Sequence, residues 1–98
     1  MVKQNFKPDF KFYRATHLET GEVKLIVARN DEELFFTLDE YASPYEFVIE
    51  EIDPESLPPL SIDFTPDEEL KKELTKLPSL RILTPRDLDR IFKKLVFQ

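Results

Sequence analysis

The chain has no cysteine, one glycine and one histidine in 98 residues. Each scarcity removes a class of chemistry. Without thiols there is no disulfide framework, no thiolate metal site and no cysteine nucleophile, which sets aside the small stapled secreted scaffolds. One glycine cannot write a dinucleotide fingerprint or a P-loop, and the acidic stretch contains none for a calcium loop. Eight prolines beside that glycine predict bends made by proline and by right-handed turns. No stretch of ~18 apolar residues could span a bilayer, and the N-terminal Met-Val-Lys-Gln-Asn-Phe-Lys has no signal-peptide core. These absences predict a cytoplasmic protein with no membrane association and no cofactor.

What is present fits one small domain over residues 1–98, with 1–8 as a flexible lead. Apolar residues make up 41% of the chain, including nine Phe and three Tyr, enough for a packed core. Charged residues make up 35%, above the usual ~25%, and they are segregated. Residues 1–29 sum to +3 and residues 71–98 to +5, whereas residues 30–70 hold fourteen acids and no Lys or Arg. Such a distribution sets the field that partners meet without dictating a fold.

Residues 9–29 read as a β-hairpin whose register depends on Gly21. A two-residue turn at Thr20-Gly21 puts Arg14 on the face of Leu25 and Val27. A three-residue loop with Gly21 left-handed pairs Leu18 with Glu22, gathers Tyr13, Ala15, His17, Val23, Leu25 and Val27, and leaves Arg14 and Lys24 wet; it is the preferred register. Asn30-Asp31-Glu32-Glu33 starts a helix, with Asn30 as cap and Glu33 completing a capping box. Its stripe is Leu34, Phe35, Leu38 and Tyr41, and Pro44 ends it near Ala42-Ser43. Tyr45, Phe47 and Ile49 alternate with Glu46, Val48 and Glu50 as a half-buried strand with a mostly acidic outer face. Residues 53–59 form a proline-stiffened connector, and Leu60, Ile62 and Phe64 suggest a short fourth strand.

Thr65-Pro66-Asp67-Glu68 and Thr84-Pro85-Arg86-Asp87 each place Thr as cap, Pro first and an acid third, so two further helices follow. Leu70, Leu74 and Leu77 stripe the first; Leu88, Ile91, Phe92 and Leu95 stripe the second. Ser79 to Leu83 is a connector or short strand. The expected fold is α+β: a small, mostly antiparallel sheet, made of the hairpin plus one or two further strands, packed against about three helices in the order β-β-α-β-(β)-α-α.

No catalytic or metal constellation stands out. His17 beside the turn reads as a structural histidine, and Ser43, Ser56, Ser61 and Ser79 lack the context of a nucleophile. Glu50, Glu51, Asp53, Glu55 and Asp63 could form many carboxylate pairs, and nothing ranks them. The acidic tract has three explanations: internal neutralisation by the basic flanks, a docking face for a basic partner, or a sheet edge that pairs with itself in a homodimer. The leading expectation is a non-catalytic interaction protein of inhibitor, immunity or regulatory type. It would present Asp31, Glu32, Asp39, Glu40, Glu46, Glu50, Glu51 and Asp53 to a basic protein, including by mimicry of nucleic acid. The alternative is phosphate binding through Arg81, Arg86, Arg90, Lys93 and Lys94, of which the last four recur on one face of the final helix, although the pI of 4.8 opposes it.

Overall fold

A computed structural model describes residues 10–57 and 67–97. Within them, strands β1 (Lys11–His17), β2 (Val23–Ala28), β3 (Phe47–Ile52) and β4 (Ser79–Leu83) alternate with helices α1 (Asp31–Asp39), α2 (Glu68–Thr75) and α3 (Pro85–Val96). The α+β architecture is the expected one, in the order β-β-α-β-α-β-α. All neighbouring strands are antiparallel, in the spatial order β2-β1-β3-β4. The expected lead at 1–8, the strand at 60–64, Ser61, and Thr65-Pro66 lie outside the described residues.

The hairpin register differs from the preferred one. His17, not Leu18, stands opposite Glu22: the His17 amide donates to the Glu22 carbonyl at 2.9 Å, and Gly21 closes the loop at φ +76°. One residue of slip turns β2 over relative to β1. Tyr13 and Ala15 therefore share a face with Ile26 and Ala28, while Arg14 sits opposite Leu25. His17 fixes this longer loop, because its Nδ1 accepts the Glu19 and Thr20 amides at 3.3 Å each. The ring also packs edge-on against Phe47 at 5.1 Å.

One face of the sheet carries the main core. Tyr13, Ala15, Ile26, Phe47, Ile49 and Leu83 meet Leu34, Phe35 and Leu38 of α1 and Leu88 and Ile91 of α3. Full burial of each Leu or Ile here contributes about 1.5–3 kcal/mol against conformational entropy. Tyr41 leaves the stripe expected for α1 and is 61% exposed, because the helix has ended at Asp39 ahead of Pro44. Asn30 caps α1 through the Glu33 amide at 2.9 Å, but the Glu33 carboxylate reaches back to the Arg29 amide rather than to the cap residue.

The other face is held partly by an ion. Arg14 is 7% exposed; its Nε donates to Glu50 at 2.7 Å, and Nη1 donates to the Leu74 and Leu77 carbonyls at 2.6 and 2.8 Å. Leu74 lies in the last turn of α2, where its carbonyl also accepts the Leu77 amide at 3.3 Å, and Leu77 follows two residues after the helix, so one guanidinium pins this end of α2 to the sheet. Leu74 is fully buried beside it. The cap of α2 is Asp67 rather than Thr65, accepting the Leu70 amide at 2.8 Å. In the connector, Pro54–Ser56 makes one 3-10 turn capped by Asp53, and Pro58 and Pro59 lie outside the described residues. Thr84 and Asp87 close the predicted capping box on α3.

Candidate functional site

The acids that are contiguous in the sequence separate in space. α1 lies with Asp31 near the end of β3 that carries Glu51, and with Tyr41 near Lys24, at the hairpin-turn end. Asp31, Glu51 and Asp53 thus occupy one end of the sheet, and Asp39, Glu40 and Glu46 the other.

Most of the eight candidate acids are already occupied. Arg81 makes a bidentate contact to Asp31 at 2.8 and 2.9 Å and reaches Glu51 at 3.4 Å. Tyr13, fully buried, donates its hydroxyl to the same Asp31 at 2.9 Å. Burial first, and then that hydrogen bond, push the phenol far above its ordinary range. Lys94 of α3 binds Glu32 at 2.7 Å, and this hydrogen bond holds the Glu32 carboxyl below the usual range. Glu50 is taken by Arg14, Glu46 accepts from His17 Nε2 at 3.1 Å, and Asp53 caps its 3-10 turn through the Glu55 amide at 3.0 Å.

Asp39 and Glu40 are the exceptions. Both are exposed, and among the described residues neither forms an ion pair or side-chain hydrogen bond. They stand at the C-terminal end of α1, whose last turn contains no basic residue, so their charges add to the negative pole of the helix. Exposed aromatics surround them in sequence: Phe36 at 59%, Tyr41 at 61% and Tyr45 at 40% exposure. Helix-start chemistry in the sequence accounts for Asp31 and Glu32 and leaves the run from Asp39 to Asp63 unexplained, without separating Asp39 and Glu40 from Glu46, Glu50, Glu51 and Asp53. The distinguishing signal, acids at the C-terminal end of a helix that lacks cations, was legible in principle, but the aromatic setting was not.

The alternative cationic surface shrinks in the same way. Arg81 and Lys94 are taken as described, and Arg90 contacts Asp87 at 2.9 Å. Only Arg86 and Lys93 of those candidates carry no ion pair among the described residues. His17 has both ring nitrogens engaged, Nε2 at 3.1 Å from Glu46 and Nδ1 at 3.3 Å from the Glu19 amide, within the hairpin turn. Of the candidate nucleophiles, Ser43 caps a turn through the Tyr45 amide at 3.3 Å, and neither Ser56 nor Ser79 bonds His17. Among the described residues no group of His, Cys, Asp or Glu could hold a metal ion, and no helix is long and apolar enough to cross a membrane. Compared with protein-family models, curated proteins and solved structures, the chain has no match.

Proposed function

We propose that this chain is a non-catalytic protein-interaction module that receives a basic partner protein at the C-terminal end of α1. The observation that carries the proposal is the Asp39–Glu40 pair, exposed and unneutralised among the described residues at the negative pole of its helix, with exposed Phe36, Tyr41 and Tyr45 close by in the chain. Local stability does not account for it, because carboxylates in a last helical turn cost roughly 0.3–1 kcal/mol each at low salt. A guanidinium or ammonium from a partner would reverse that cost, while the aromatic rings supply apolar area for anchoring.

The test is affinity capture by the immobilised chain across a salt series, wild type against Asp39→Asn/Glu40→Gln. Capture of a basic protein that weakens steeply with salt and is lost in the double variant supports the proposal. Capture unchanged by molar salt, or by the double variant, refutes it. Phosphate binding through the last helix rests on Arg86 and Lys93, so it would show a salt slope of only about two charges.

A further inference from the structure

We infer that the partner is taken up as an extended strand added to the free edge of β2, an inference that rests on the proposed acidic docking site. Among the described residues β2 is the outermost strand on its side of the sheet. The His17 amide bonds β2 at Glu22, and the next amide, Leu18, bonds the β3 side at Glu46. Backbone direction alternates along an antiparallel strand, so Glu22, Lys24 and Ile26 face β1, and Val23, Leu25 and Val27 turn their N–H and C=O groups outward. Those outward groups have no hydrogen-bond partner among the described residues.

This edge runs along a groove. A cavity of about 330 Å³ follows the Glu22–Ile26 backbone, walled by Tyr41 on the α1 side and by Lys71 of α2 on the other. An added strand would satisfy the outward amides and place alternate side chains against Val23, Leu25 and Val27 on one face and toward Tyr41 on the other.

Charge identifies the occupant. Lys24 and Lys71 both lie within 3.6 Å of Glu22, and Lys24 stands 4.5 Å over the Tyr41 ring, so these cations are engaged. Asp39 and Glu40, one and two residues before the wall residue Tyr41, are not. The uncompensated charge adjoining the groove wall in the chain is thus negative, and it favours an extended segment in which apolar residues alternate with Lys or Arg.

The probe is a short capped peptide of alternating lysine and valine, titrated into the isotope-labelled full chain, with an alternating glutamate and valine peptide as control. Saturation with the lysine peptide is expected to slow hydrogen exchange at the Val23, Leu25 and Val27 amides, and the glutamate peptide is expected not to bind. Leu25→Pro removes an outward N–H without breaking a bond to β1, and is expected to weaken binding about fivefold to tenfold while the circular dichroism spectrum stays unchanged. Unchanged exchange at those amides under saturating peptide, with binding still lost in Asp39→Asn/Glu40→Gln, overturns strand addition and leaves the acidic site standing. No binding of the lysine peptide, or binding indifferent to the double variant, overturns the acidic site itself. Edge amides already protected in the free protein, with concentration-dependent sedimentation, would assign the edge to a second copy and overturn the inference.

Discussion

Replacing Arg14 with Met keeps most of the buried stem and removes the guanidinium, leaving the Glu50 carboxylate without its cation and the Leu77 carbonyl without its donor, while the Leu74 carbonyl keeps only the Leu77 amide at 3.3 Å. The side chains of Arg14 and Glu50 are only 8% and 17% exposed, so solvent screens the pair weakly. Breaking a buried ion pair by removing one partner costs about 3–5 kcal/mol, chiefly because the other charge is left desolvated. Against a total of roughly 5–15 kcal/mol for a domain, that is a large share. It corresponds to a fall in Tm of roughly 15–30 °C for a domain near this size.

Urea unfolding at neutral pH of the wild type, Arg14→Met, Glu50→Gln and the double variant separates the contributions. Arg14→Met should be the least stable, and adding Glu50→Gln should restore about 1–2 kcal/mol by removing the orphaned charge. Full recovery is not expected, since the Leu74 and Leu77 carbonyls still lack the guanidinium. Amide exchange should rise in α2 ahead of the other helices. A cost below about 1 kcal/mol for Arg14→Met, or a double variant no better than the single, would refute the assignment of Arg14 as the link between α2 and the sheet.

Four further outcomes follow from the local geometry. Glu22, Glu32, Glu33 and Asp87 are held below the usual carboxylate range, by Lys24 and Lys71, by Lys94, and by the Arg29 and Thr84 backbone amides respectively. Depressed carboxyl pKa values contribute stability above the unfolded value, so the urea midpoint should hold between roughly pH 7 and 5 and fall below about 4.5; a midpoint that rises on acidification contradicts this. Tyr13 is shifted the opposite way, so its contribution is complete below roughly pH 10 and lost above it, and Tyr13→Phe should remove that alkaline loss. Thr84→Ala opens the α3 capping box and should cost about 1 kcal/mol in urea melts; no change would mean that Asp87 alone caps the helix. At Gly21 a Cβ would meet no atom within 4 Å, so Gly21→Ala should cost only the left-handed backbone strain, about 1–2 kcal/mol, with the hairpin amide shifts retained.

Element identity was legible wherever the determinant was local. The Asn30 and Thr84 caps, the stripes of α1 and α3 and the alternation of β3 all lie within a few residues of what they specify. The hairpin register was not legible, and Arg14 is the reason. A charge was assigned to the wet face because burying it alone is prohibitive, yet its partners lie 36, 60 and 63 residues away. Once Glu50 and the end of α2 are brought to it, the rejected face becomes the stable one. β4 was ambiguous for a related reason: Ser79 to Leu83 is a strand because Ile49, Glu50 and Glu51 stand beside it, a pairing that no local pattern announces. The candidate site was legible as a set of acids and illegible as a surface, since their neutralisation depends on the same long-range placements.

The segregation of charge along the chain is largely a folding device in this light. Arg14 from the first basic flank, and Arg81 and Lys94 from the last, close over Glu50, Asp31, Glu51 and Glu32 of the acidic middle. Pairs of this kind bring distant segments together and penalise wrong packings, although exposed ones contribute little to stability individually. The same arithmetic isolates what folding leaves over. If neutralisation were the whole purpose of the basic flanks, the cheapest place for another cation would be the last turn of α1, where the helix pole and two carboxylates coincide. That turn has none. Asp39 and Glu40 are therefore acids left unpaired among the described residues, and they immediately precede Tyr41, which walls the groove along the β2 edge, so the proposed partner would meet the free charges and the outward amides at the hairpin-turn end.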